Sequence, residues 1–375
     1  EQAIKLNPDD KEAWDNKGAA LSHLGRYEEV IACFEQVLKL NPDDKEAWSN
    51  KGKALYNLGR YEEAIACYEQ VLKLNKDSEE AWFIKGAALG NLGRYEEAIT
   101  SYEQVLKLNP DSEEAWVNKG AALSHLERYE EALSCFEQVL KLNPDSEEAW
   151  FIKGAALGNL EKYEEAIACY EQVLKLNPDA EKAWFIKGAA LGNLEKYEEA
   201  LSCYEQALKL NQDDKYAWGN KGVALYNLGR YEEAIACFEQ VLKLNPDDED
   251  CWNNKGFALS ELGRYEEAIA CLEQVLKLNP DDKAAWGNKG VALSHLGRYE
   301  EAIACYEQVL KLNPDDKEAW SNKAIALSHL EKYEEALACY EQVLKLNPDD
   351  KEAWSDKGAA LSHLGRYEEA IACFE

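Results

Sequence analysis

The sequence has no methionine and only five histidines, and its 42 lysines and arginines are outnumbered by 72 aspartates and glutamates. Each shortage removes a class of function. A net charge of −30 leaves no basic patch for a phosphate backbone, so nucleic acid is not an expected partner. No apolar run approaches the roughly 18 residues of a membrane span and no signal peptide is visible, so no membrane partner is expected. There is no glycine-rich phosphate loop, no Cys-x-x-Cys pair and no evident nucleophile–base set. Catalytic residues, cofactors and metal ligands are therefore not expected, and the chain does not read as an enzyme. The acidic excess favours a basic or mixed-charge partner, and otherwise keeps a long chain solvated.

What is present is repetition. Tryptophan recurs every 34 residues from Trp14 to Trp354, and tyrosine keeps the same interval from Tyr27 to Tyr367. A fixed period of this size marks an array of identical structural units. The chain divides into ten full repeats (11–350), the end of a preceding repeat (1–10) and an incomplete last repeat (351–375), all expected in one domain (1–375). With no initiator methionine and both ends in mid-period, it is expected to be a fragment or a processed chain.

One period carries two helical patterns. Asp43 and Asp44 are N-cap candidates, and Asp43 with Glu46 has capping-box spacing. Ala47, Trp48, Leu55 and Leu58 share one face of the first helix. In the second, Tyr61, Ala64, Ile65, Tyr68, Val71 and Leu72 follow i, i+3, i+4, i+7, i+10, i+11. Each helix should be about 14 residues, roughly 21 Å long. Gly59 suits the end of the first helix. Glu127, Glu161, Glu195 and Glu331 stand at the equivalent place, which argues against a general need for a left-handed residue there. Gly52 recurs inside the first helix in every period but that of Ala324. A mid-helix glycine costs about 1 kcal/mol relative to alanine, so the repetition implies close approach of the second helix.

Ten of the eleven cysteines share one column, from Cys33 to Cys373, with Ser101 filling the gap and Cys251 standing apart. Packed units place such a column about 10 Å apart, beyond the roughly 7 Å reach of a disulfide. These cysteines read as small core fillers, and free thiols favour a reducing, cytoplasmic compartment; an extracellular one stays open because the N-terminus is missing. His23, His125, His295, His329 and His363 also form one column, too widely spaced to share an ion with metal–nitrogen bonds of about 2 Å. They read as solvated or capping groups.

With Pro42, Trp48, Gly52, Gly59, Tyr61, Ala64 and Tyr68 at this spacing, the unit resembles the tetratricopeptide repeat (TPR) over the whole chain. The resemblance implies an all-α, right-handed superhelical solenoid of antiparallel helix hairpins. It also implies that first helices line a concave face where members bind peptides. There are departures. Lys51 fills a slot that the family often gives to leucine, and Lys76 and Gln212 replace the proline. The family's carboxylate clamp is incomplete: Asn16, Asn50 and Asn118 are present, but Glu12, Glu46 and Glu80 stand where a lysine would help. Chaperone C-terminal tails are therefore not expected ligands.

Differences between periods concentrate in three columns of the first helix, spaced i, i+4, i+7. Phe83, Phe151 and Phe185 in the first column always accompany glycine in the third; Tyr56 and Tyr226 take the third where the first is small, and Phe257 takes the middle. With Val117, and with Ile84, Ile152 and Ile186 alongside, four consecutive periods offer an apolar strip about 30 Å long. It reads as a contact site, as packing between units, or as the trace of one unit being copied. The expected function is a non-enzymatic scaffold that binds a partner peptide or protein through these ten residues. The alternative is a filament formed by head-to-tail self-association of uncapped repeats.

Overall fold

The structure is a computed structural model that describes residues 2–375. Among these are 23 α-helices and no strand. The repeating element is a hairpin of a 13-residue first helix and a 14-residue second helix, as in Lys45–Asn57 and Tyr61–Leu74. The cap is Asp44, whose carboxylate accepts from the Ala47 amide at 3.0 Å. Asp43 lies one residue too early to cap, so the expected capping box with Glu46 does not form. Ser78 and Ser146 cap their helices in the same way. The linker is pinned by the tryptophan: Trp48 Nε1 donates to the Pro42 carbonyl at 2.8 Å. Trp82 and Trp218 make the same bond to Lys76 and Gln212 at 2.9 Å. The acceptor is backbone, which is why the proline is dispensable.

The turn inside each hairpin overturns one expectation. Gly59 has φ +74°, and Glu127, Glu161, Glu195 and Glu331 adopt φ 58–59° at the same place. The left-handed residue is required after all, because the Arg60 amide must reach back to the Leu55 carbonyl, at 2.9 Å, to close the helix end.

The glycine inside the first helix makes the expected close approach. A Cβ on Gly52 would stand 2.9 Å from the Tyr68 ring. Ala64, Ile65, Cys67, Tyr68, Val71 and Leu72 are buried beneath it, and Trp48 packs half-buried against the same core. Among the described residues ten cysteines are buried, Cys373 is half-buried, and none forms a disulfide. Burial pushes the Cys67 thiol up to about 11 and the Cys251 thiol up to about 12, which leaves little thiolate at neutral pH.

Neighbouring hairpins are tied by polar links. Lys51 lies over the Trp48 ring, 5.7 Å from its centroid, and reaches Glu35 of the preceding second helix at 2.9 Å. Lys317 donates to Asp350, the cap of the next first helix, at 2.8 Å.

The hairpins gather into two compact units, one ending at Ala190 and one starting at Leu191. Within each, the second helix of a hairpin packs on the first helix of the next. One period of the second unit departs from the rest. There Leu272 replaces the usual aromatic, Cys251 replaces an alanine, and Asn253 Oδ1 is buried without a hydrogen bond.

Candidate functional site

In the first unit the expected apolar strip is a packed seam. Phe83 meets Tyr102 edge-on at 5.9 Å, and Phe151 meets Tyr170 likewise. Both phenylalanines therefore lean on the second helix of their own hairpin. The isoleucines, one residue and about 100° further round a helix of 3.6 residues per turn, lean the other way. Ile84 packs on the cluster of Tyr68, Val71 and Leu72, and Ile186 on the cluster of Tyr170. Phe83, Ile84, Val117, Phe151, Ile152, Phe185 and Ile186 are all half-buried. Their pairing with glycine is not forced by packing, since a Cβ on Gly90 or Gly158 would meet nothing within 4 Å. Tyr56 and Tyr226 are half-buried too, each set edge-on at 5.3 Å against Tyr61 or Tyr231.

Of the ten expected contact residues only Phe257 is exposed. It belongs to the middle column, and there the second unit differs from the first. Val223, Phe257, Val291 and Ile325, from four consecutive first helices, are 36–41% exposed. The first unit places Lys53, Ala87, Ala121 and Ala155 in this column. The signal for this stripe was the change from alanine to branched or aromatic residues at one column, which the more conspicuous Phe-Ile pairs obscured.

Clefts open between successive first helices of the second unit. One of about 410 Å³ is lined by Val291, Ser294, Tyr306, Asn322, Ile325 and His329. One period later a cleft of about 440 Å³ is built from the same columns. At the floor of the first, the Ser294 and Tyr306 hydroxyls are hydrogen-bonded at 3.2 Å. Four of the five histidines, His125, His295, His329 and His363, are not simply solvated or capping groups. His295, His329 and His363 stack flat on Tyr265, Tyr299 and Tyr333 of the preceding hairpin, with ring centroids 4.6–4.7 Å apart.

Among the described residues no group of three or more histidines, cysteines, aspartates or glutamates is placed to hold a metal ion. None of their helices is long and apolar enough to cross a membrane.

A chain of antiparallel helical hairpins, most of them closed by a buried tyrosine or phenylalanine against a mid-helix glycine, is an all-α repeat protein. Sequence models of the tetratricopeptide repeat match it in successive stretches from 1–32 through 92–160 and 181–214 to 339–372, and the chain belongs to that family. A 33-residue stretch, 9% of the chain, is 58% identical to an uncharacterised protein of Methanocaldococcus jannaschii and spans 38% of that protein. Among solved structures, the C-terminal part of a TPR repeat-containing protein from Cytophaga hutchinsonii is similar with a TM-score of 0.58 and 20% identity. That match covers 63% of this chain and 97% of the other. A tetratricopeptide repeat protein from Parabacteroides merdae has a TM-score of 0.50 at 17% identity, over 67% and 99% of the two chains. YrrB, described as a TPR protein with an unusual peptide-binding site, has a TM-score of 0.45 at 23% identity, over 49% and 95%.

Proposed function

We propose that this chain is a non-enzymatic protein-binding scaffold, and that its second unit holds a partner segment across Val223, Phe257, Val291 and Ile325. Tetratricopeptide arrays generally mediate protein–protein interactions. The observation that carries the assignment to this face is that four consecutive hairpins expose large apolar side chains at one first-helix column, and that Val291 and Ile325 of this column line the clefts between first helices. A contiguous apolar surface bordered by polar groups usually marks a contact site. The flanking columns supply that border with Asn254, Asn288 and Asn322 on one side and Ser260, Ser294 and Ser328 on the other.

The test starts from a peptide selected for binding to the intact chain from a random library. Covering one large apolar side chain contributes about 1.5–3 kcal/mol. Phe257→Asp and Ile325→Asp should therefore each weaken that peptide at least about tenfold, with helicity by circular dichroism unchanged. Unchanged affinity in both variants removes the stripe from the proposal. Phe151→Asp serves as the contrast, since it disturbs a packed seam and should lower stability.

A further inference from the structure

We infer that the cleft between the helices Lys317–His329 and Lys351–His363 receives a single cationic side chain, a lysine or arginine of the partner, with Asp356 as its counter-charge. This rests on the reading of the first-helix face as the binding surface, and it adds the partner's chemistry.

The two clefts described above act as each other's control. Ser294 and Ser328, Tyr306 and Tyr340, and His329 and His363 occupy corresponding places in them. The polar group inside differs: the first cleft holds Asn322 and the second holds Asp356. Asparagine also fills this column at Asn16, Asn50, Asn118, Asn220, Asn254 and Asn288, so Asp356 introduces a charge where the scaffold needs none.

The charge is uncompensated by the fold. Burial raises the Asp356 carboxyl above the ordinary aspartate value, and the nearby Glu352 and Asp350 raise it further. The adjacent cation is engaged elsewhere. Lys357 lies over the Trp354 ring at 5.4 Å and pairs with Glu341 at 3.4 Å. Asp350 is already matched by Lys317 at 2.8 Å and by the Ala353 amide at 3.1 Å.

The walls suit the rest of a long basic side chain. Ile325 is exposed on one wall and the Tyr340 ring lies deeper in the cleft. Lysine and arginine lay an apolar stem along such surfaces and present the charge at the tip. The partner class also follows from charge: a chain of net −30 attracts basic segments over distance, and this cleft gives one of their side chains a specific seat.

The probe is a nine-residue peptide with one central lysine between two leucines, compared with its Nε-acetylated twin by fluorescence anisotropy. The expected result is at least a tenfold preference of the intact chain for the free lysine. Asp356→Asn, which installs the residue that seven other periods hold in this column and so keeps the fold, should abolish that preference. Asn322→Asp should create a second lysine-selective site and raise the stoichiometry from one to two. Equal binding of the two peptides, a preference that survives Asp356→Asn, or no binding of the lysine peptide at millimolar concentration overturns the assignment. If the peptides bind without lysine selectivity but are weakened by Phe257→Asp, the cleft assignment falls while the scaffold reading stands.

Discussion

The ring of Phe238 stands 2.5 Å from the place a Cβ on Gly222 would occupy, whereas one period later Leu272 leaves 3.5 Å beside Gly256. The same glycine column is therefore tightly constrained in one hairpin and relaxed in the next. Gly256→Ala should gain up to about 1 kcal/mol of helix propensity. Gly222→Ala must shift a buried ring and should lose about 1–2 kcal/mol. Ala324 opposite Tyr340 shows that a ring can yield, and the loss at Gly222 measures the cost of yielding. Amide hydrogen exchange of the two hairpins reads both effects, and equal changes would refute the distinction.

The left-handed glutamates make a second prediction. A non-glycine residue in this conformation costs roughly 1–2 kcal/mol, offset in part by the extra chain entropy that glycine loses on folding. Glu127→Gly, Glu161→Gly and Glu331→Gly should each stabilise the chain by about 1 kcal/mol. Gly59→Ala should destabilise it by a similar amount. Denaturant midpoints check both directions.

The hairpins, the 34-residue period and the cysteine column are legible in the sequence alone, because each is a periodic property that recurs about ten times. The turn is not legible in the sequence because glutamate is a poor indicator of a left-handed residue; the φ of 59° at Glu127 and the Arg128 amide bonding to the Leu123 carbonyl reveal the demand. The seam was legible in part. Phe83 and Ile84 are adjacent in sequence, yet one packs within its own hairpin and the other on the preceding one, a division that depends on helix rotation. The open stripe through Val223 and Ile325 was harder to see, since exposure is decided by what the neighbouring hairpins cover.

Asp356 gives a pH-dependent prediction. Its carboxyl is raised in the folded chain, chiefly by burial, so the folded state holds that proton more tightly than the unfolded state. Stability then falls as pH rises from the unfolded value of about 3.9 through the folded one, and the full loss is present at neutral pH. Asp356→Asn should raise the unfolding midpoint at pH 7, and the gain should vanish below about pH 3.9. A gain of the same size at every pH would contradict this origin.

Asn253 offers a test of an unmet acceptor. Its Oδ1 is buried and accepts no hydrogen bond, a defect that typically costs about 1–3 kcal/mol. Valine occupies the same column at Val117. Asn253→Val should therefore stabilise the hairpin that contains Leu272, by about 1 kcal/mol, as read from its exchange protection; loss of protection would show that the oxygen is satisfied.

The thiols should separate kinetically. Cys373 is half-buried and the other ten are buried. An aromatic disulfide reagent should titrate one thiol quickly in the native chain and the remainder only on unfolding. Rapid reaction of several thiols would show that the hairpins open far more often than their packing implies.

The bond from each tryptophan to a backbone carbonyl six residues upstream makes every joint between hairpins the same joint. An in-frame loss or gain of one whole period inside a unit rejoins a second helix to a first helix through the same capped turn. The length of such a gene can drift by whole periods while the joints persist. What changes is the order of the side chains on the open face. Loss of 317–350 would seat Asp356 against Ser294 and Tyr306 in place of Ser328 and Tyr340, which are residues of the same kinds. The clefts behave as interchangeable letters on a fixed spine, and the heritable variable is their sequence along it.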